Sequence, residues 1–221
     1  MPRFQAVMFD LDGTLLDTLA DIAVAGNHVL RSYNLPPRPV ADYRYLAGQG
    51  AAWLVEQILG PDHVEHRDQA MERFKTWQLA HGLDQTKPYP GIADMLDEMS
   101  RRRLPLVVLS NKPHAATVEA VQKRLGSWAF ATVAGHRHEP GSPALKPDPT
   151  SALLIARQLN IATQHWLYLG DTRVDMLTAT DAGFFAVGAT WGFREEAELR
   201  QSGAMAIVHH PREVIGLLDQ Y

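Results

Sequence analysis

The chain repeats one local arrangement, a short and almost unbroken apolar run followed by an amphipathic helical pattern. The runs are QAVMF (5–9), LPLVVLS (104–110), FATVAG (130–135), HWLYLG (165–170), FFAVGA (184–189) and MAIVHH (205–210). Continuous rather than alternating apolar character is what a strand covered on both faces requires. Helical periodicity over 91–102, 113–125, 148–159, 174–182 and 211–220 separates most of them. Such alternation predicts an α/β fold, a parallel sheet with helices on both faces. Ligands of such sheets bind outside the carboxyl ends of the strands, so polar residues at strand ends are the first functional candidates.

One interval breaks the alternation. From Asp17 to about Leu83 the patterns are helical only, in TLADIAVAGNHVLRSYN, VADYRYLAG, GAAWLVEQILG and VEHRDQAMERFKTWQLAHG, punctuated by LPPRP and GP. The expectation is a core formed by 1–16 and 84–221, with a helical cap inserted over 17–83 and KPYPG (87–91) marking the return.

Composition excludes several classes of function. The 221 residues are 46% hydrophobic and 21% charged with a net charge of -4, which provides no basic excess for a nucleic acid backbone. Arg101 to Arg103 form the only basic run, at the end of a helical pattern where cations favour the helix dipole and solvent. There is no cysteine, which removes disulfides, thiolate nucleophiles and cysteine zinc sites. No signal-like leader or membrane-length apolar run is present, so a soluble cytoplasmic protein is expected.

The strand ends carry a consistent set of polar groups. Asp10 and Asp12 close the first strand and share a side, with Gly13 permitting the turn that follows. Ser110 and Asn111 end LVVLS, Lys146 lies in the loop ALKPDPT, and Asp171 and Asp175 follow WLYLG. A parallel sheet brings these points to one edge. Clustered carboxylates repel one another and are expensive to desolvate, so the group calls for a lysine and a hard divalent cation, for which oxygen ligands suit Mg²⁺.

A phosphate monoester is a dianion that a carboxylate cannot approach until its charge is neutralised. Mg²⁺ and Lys146 would do this, with the Ser110 hydroxyl and backbone N–H groups binding phosphoryl oxygens. One aspartate would attack phosphorus, and the other would carry the proton to the leaving alkoxide and later activate water.

FDLDGTLLDT, LSNKP, LKPDP and GDTRVD resemble, in order and spacing, the four motifs of the haloacid dehalogenase-like (HAD) phosphatase superfamily. LSNKP, the GQGA of the insertion and GDTRVD resemble its phosphoglycolate phosphatase branch. The resemblance implies a Rossmann-like core with a cap. It implies Asp10 as nucleophile and Asp12 as general acid/base. Mg²⁺ would be held by the Asp10 side chain, the Asp12 backbone carbonyl and Asp171. Ser110, Asn111 and Lys146 would bind the transferring phosphoryl group, with Asp175 supporting the metal or Lys146. The implied partner is a small phosphorylated metabolite, with 2-phosphoglycolate the candidate; neither nucleic acid nor membrane is expected. The branch often has GNGA where this chain has Gly48 to Ala51, and serine where it has Thr172. Ala51 and Ala52 stand where related sugar phosphomutases carry an arginine, and the second aspartate, Asp12, separates the chain from carbon–halogen chemistry. The alternatives are such a phosphomutase and a non-enzymatic phospho-acceptor or binding module.

Each motif alone has a plainer reading. DLDGT can be an Asx turn, SN a helix cap, KPDP a helix entry and GDTRVD a capped helix start. His136 and His138 have metal-ligand spacing but read as a solvated loop; His209 and His210 read as exposed, and His114 as a helix-start surface residue. Trp53 and Trp77 read as packing residues of the insertion, and Arg44 and Lys75 as a solvated face. Gln49, between two glycines, is the candidate for cap specificity.

Overall fold

The computed structural model describes residues 4–137, 139 and 141–220. Six strands form one parallel sheet: β1 (Ala6–Phe9), β4 (Leu106–Pro113), β5 (Thr132–His136), β6 (Trp166–Gly170), β7 (Phe185–Ala189) and β8 (Ala206–Val208). The remaining two, β2 (Leu16–Asp17) and β3 (Lys87–Pro88), pair antiparallel apart from it. The order is β5-β4-β1-β6-β7-β8, with Val7 opposite Leu106 on one side and Ala6 opposite Trp166 on the other. The winding direction reverses at β1, and the carboxyl ends of β1, β4 and β6 open onto the crevice this creates.

The period of two along each strand sorts side chains between two cores. Val7, Phe9, Val108, Leu167 and Leu169 face one layer, covered by α5 (Ile92–Arg101), α6 (His114–Leu125) and α10 (Pro211–Gln220). Ala6, Met8, Val107, Trp166 and Tyr168 face the other, covered by α7 (Thr150–Gln158), α8 (Arg173–Asp181) and α9 (Glu196–Gln201). Helix α5 shows how such a layer forms: Ile92, Met95, Leu96 and Met99 make one buried stripe at helical spacing. Full burial of one such side chain contributes about 1.5–3 kcal/mol.

A third apolar cluster belongs to the inserted segment. It joins α1 (Leu19–Ser32), α2 (Tyr43–Leu46), α3 (Ala51–Leu59) and α4 (Arg67–His81) through Ile22, Val29, Tyr43, Leu54, Val55, Ile58 and Phe74. Gly26 of α1 lies so close under the Tyr43 ring that a β-carbon there would collide with it, and the Tyr43 hydroxyl donates to Asn27 Oδ1 at 3.1 Å. The chain leaves for these helices through β2 and returns through β3, with Leu16 opposite Pro88 and Asp17 opposite Lys87. The Asp21 carboxylate fastens the return, accepting from the Thr86 N–H at 2.9 Å and the Thr86 hydroxyl at 2.7 Å.

Three details differ from the sequence reading. The second core strand was expected to end at Ser110 but continues to Pro113, because its last residues remain extended while turning polar. The β2–β3 pair is too short to create a periodic signal. Helix α9 is a single short turn-and-a-half that buries only Leu199. Arg101 and Arg102 both bind Glu98, and Arg102 reaches Asp219 at 2.7 Å, so the basic run closes a helix end. Among the described residues, no helix is long and apolar enough to cross a membrane.

Candidate active site

At the carboxyl edge of the sheet, Asp10, Asp171 and Asp175 offer ligand oxygens within 4.8 Å of one another, all from buried residues. Asp10 leaves the end of β1 and Asp171 the end of β6. The turn after Asp12 must pass directly over Asp171, which Gly13 allows with φ +89; a β-carbon there would overlap the Asp171 carboxylate. Thr14 Oγ1 donates to Asp171 Oδ1, and the Phe193 N–H to Oδ2, each at 2.7 Å.

Lys146 arrives from the loop before α7 and is saturated. Its Nζ donates to Asp10 Oδ1 (2.8 Å), the Leu109 carbonyl (2.9 Å), Asp175 Oδ1 (2.6 Å) and the Tyr168 hydroxyl (3.1 Å). Burial by itself would pull the ammonium down, but the Asp10 and Asp175 charges outweigh it and keep Lys146 protonated. Two of the three carboxylates, Asp10 and Asp175, share that one ammonium, while Asp171 accepts from the Thr14 hydroxyl and the Phe193 N–H. Burial, relieved by Lys146 and reinforced by Asp175, pushes Asp10 up to about 7, and burial with the charges of Asp175 and Asp10 pushes Asp171 well above the carboxylate range. The deficit of positive charge, in a donor set made wholly of oxygen, fits a hard divalent cation.

Asp175 has two tasks. Its Oδ2 accepts from the Thr172 N–H at 3.0 Å and the Thr172 hydroxyl at 2.6 Å, at the start of α8, while Oδ1 holds Lys146. The plain reading of GDTRVD as a helix start therefore holds, and serine in place of Thr172 would preserve the same bonds. Thr172→Ala is expected to cost about 1 kcal/mol, seen as a fall in Tm of about 2–4 °C; Thr172→Ser should melt within a degree of the parent.

Strand β4 loses register against β5 between Leu109 and Pro113, which aims Ser110, Asn111 and Lys112 at the crevice. The Ser110 hydroxyl accepts the Lys112 N–H at 3.3 Å. Asn111 does not cap a helix; its amide donates to the Gly48 and Lys146 carbonyls, both at 2.9 Å, and accepts from the Lys146 N–H at 2.8 Å. It thereby ties the insertion to the Lys146 loop. Lys112 had no role in the sequence reading, yet its Nζ meets Asp12 Oδ1 at 3.0 Å and Oδ2 at 3.3 Å. The available signal was a lysine inside an otherwise buried strand.

A cavity of about 40 Å³ lies over these groups, with Asp10, Asp12, Ser110, Asn111 and Lys112 on the sheet side. Opposite stand Ile22, Leu46, Leu54, Phe74 and Gln78 of the insertion. Gly48 and Gly50 line it, whereas Gln49 between them is exposed. Gln78 was missed because on α4 it looks like any polar surface residue; it is buried. Arg44 does not form a solvated face. It donates to the Gly192 carbonyl at 2.8 Å and the Phe193 carbonyl at 3.2 Å, while Arg194 reaches back to the carbonyls of Arg44, Tyr45 and Ala47. Lys75 pairs with Glu72 on the surface. Trp77 stacks on His28, with ring centroids 4.0 Å apart. His114 bonds the Gly135 N–H and the Arg137 side chain, and His138 lies outside the described residues.

A family model described as haloacid dehalogenase-like hydrolase matches residues 7–189. The chain is 28% identical to phosphoglycolate phosphatase 1 of Pseudomonas aeruginosa, over 100% of this chain and 81% of that one. It is 32% identical to the N-acetylmuramic acid 6-phosphate phosphatase of the same organism, over 99% and 96% respectively. Among solved structures, a haloacid dehalogenase-like family hydrolase of Streptococcus pneumoniae superimposes with a TM-score of 0.87 at 25% identity, covering 98% of this chain and 99% of that one.

Proposed function

Because the chain belongs to the haloacid dehalogenase-like hydrolase family, we propose that it is a Mg²⁺-dependent phosphatase that hydrolyses a small phosphomonoester through an aspartyl-phosphate. The observation that carries this reading is the pairing of Asp10 Oδ1 with Lys146 at 2.8 Å on the floor of a cavity whose wall also holds Asp12. Lys146 occupies one Asp10 oxygen, and Oδ2 is the oxygen we assign to attack.

In the first step Oδ2 bonds to phosphorus as the ester P–O bond breaks, and protonated Asp12 gives its proton to the departing alkoxide. In the second, ionised Asp12 takes a proton from water as that water attacks phosphorus. The P–O bond to Asp10 breaks, and inorganic phosphate leaves. Asp10, Asp171 and the Asp12 backbone carbonyl would hold Mg²⁺, which when bound supplies the charge that lets a dianion sit beside carboxylates. Ser110 binds phosphoryl oxygens through its hydroxyl, and Asn111 through its backbone, since its amide is committed. Asp175 holds Lys146 in place.

The segment 17–83 acts as a cap, with Ile22, Leu54 and Phe74 excluding bulk water from the reacting groups. The relatives named phosphoglycolate phosphatase support 2-phosphoglycolate as the leading substrate. A mutase would need a second phosphate grip on the cap side, and the described cap residues on the cavity wall are hydrocarbon, backbone and one amide.

Purified protein should release phosphate from p-nitrophenyl phosphate and 2-phosphoglycolate in MgCl₂, lose that activity in EDTA, and regain it when MgCl₂ is restored. Mg²⁺ at about a hundredfold excess over its Kd should also stabilise the fold by about 2.7 kcal/mol, measurable as a rise in Tm. Full turnover in EDTA would reject the metal-dependent mechanism.

A further inference from the structure

We propose that Lys112 reads a negative charge on the alcohol portion of the substrate, favouring phosphomonoesters that carry a carboxylate next to the ester carbon. The inference rests on the phosphatase reading above and adds to it the residue that sets substrate class.

The two lysines of the site differ in what they have left to give. An ammonium has three N–H donors. Those of Lys146 are consumed by four protein oxygens. Lys112 is equally buried, with a side chain 5% exposed, but its hydrogen bonds among the described residues go to the two oxygens of one carboxylate, Asp12. A single carboxylate covers one side of the ammonium. Lys112 also lines the cavity, where a buried cation with a donor to spare is stabilised by an anionic acceptor.

The charges on the cavity wall narrow the choice. Its described lining includes two carboxylates, Asp10 and Asp12, and one ammonium, Lys112. The insertion contributes Ile22, Leu46, Leu54 and Phe74 with the Gln78 amide, and no basic side chain. Among the described lining residues, Lys112 is the one cationic side chain that a negative group on the alcohol portion can meet. A cationic group has no comparable place, because Lys112 repels it where the alcohol must sit.

Position separates this role from phosphoryl binding. Lys146 contacts Asp10, the attacking group, whereas Lys112 contacts Asp12, which must touch the leaving oxygen. A group 3.0 Å from Asp12 stands on the leaving side of phosphorus, within reach of atoms one or two bonds beyond the ester oxygen.

The test compares substrates that share a two-carbon alcohol skeleton and differ in terminal charge: 2-phosphoglycolate, ethyl phosphate and phosphoethanolamine. Wild-type kcat/KM should follow that order, with 2-phosphoglycolate ahead of ethyl phosphate by about 10- to 100-fold. Lys112→Met should bring that ratio to within about threefold of unity, and Lys112→Arg should retain most of it. The ratio is internal to each variant, so partial loss of folded protein cancels. Parallel loss on all three substrates, with the ratio preserved, would overturn the proposal and leave Lys112 a phosphoryl or structural group. Equal wild-type rates on 2-phosphoglycolate and ethyl phosphate would overturn it while sparing the phosphatase reading. Absence of turnover of these substrates and of p-nitrophenyl phosphate in Mg²⁺ would overturn both.

Discussion

Asp10→Asn should lower kcat on p-nitrophenyl phosphate by at least about 10⁴-fold, the scale seen when a covalent nucleophile is removed, without unfolding the protein. The amide has the shape of the carboxylate but no charge with which to attack phosphorus. Stability should move the other way. Asp10 is buried among other carboxylates, and burial pushes it up to about 7, so a neutral side chain is well tolerated at that position. The variant, measured without metal at neutral pH, should melt at or above the wild-type temperature. Separation of the two readouts distinguishes a nucleophile from a residue that merely supports the sheet edge. Activity within tenfold of wild type would remove Asp10 from the reaction.

Lys146→Met should damage both activity and stability. The ammonium is the charge partner of Asp10 and Asp175 at 2.8 and 2.6 Å, and methionine keeps much of its volume while removing every donor. Breaking a buried ion pair from one side leaves the other side's charge without compensation, a cost of about 3–5 kcal/mol. For a chain of this length that corresponds to a fall in Tm of about 6–20 °C. Adding Asp175→Asn to the variant removes one stranded carboxylate and should recover part of the loss, because the two residues share a contact and their effects are not additive. A Lys146→Met protein melting within 2 °C of wild type would mean that the lysine carries no such electrostatic duty.

The sequence announces its sheet through hydrophobicity. The inner strands are apolar on both faces because helices cover both, and β1, β6 and β7 are buried at every position. Burial of this kind leaves a local mark that can be read one strand at a time. The same holds for the polar punctuation, since Asp10, Ser110 and Asp171 each interrupt an apolar run at its carboxyl end. The insertion was visible as an absence of strand pattern, and the β2–β3 pair that begins and ends it was not, since a two-residue strand has no period.

The tertiary structure decided which of these groups face one another and what remains free. Lys112 and Lys146 look alike in a sequence, as two lysines each next to a proline. Only the fold commits every donor of Lys146 to protein oxygens while leaving Lys112 with one carboxylate and a cavity. Arg44 likewise read as a surface residue and Gln78 drew no attention, because helical period shows which face a residue takes and not what covers that face. Their roles come from contacts spanning the chain: Arg44 bonds carbonyls at Gly192 and Phe193, and Gln78 meets a cavity whose opposite wall begins at Asp10. Local pattern records whether a residue is buried. The identity of its neighbour depends on closing loops far longer than any local period, and is specified by packing of the whole chain.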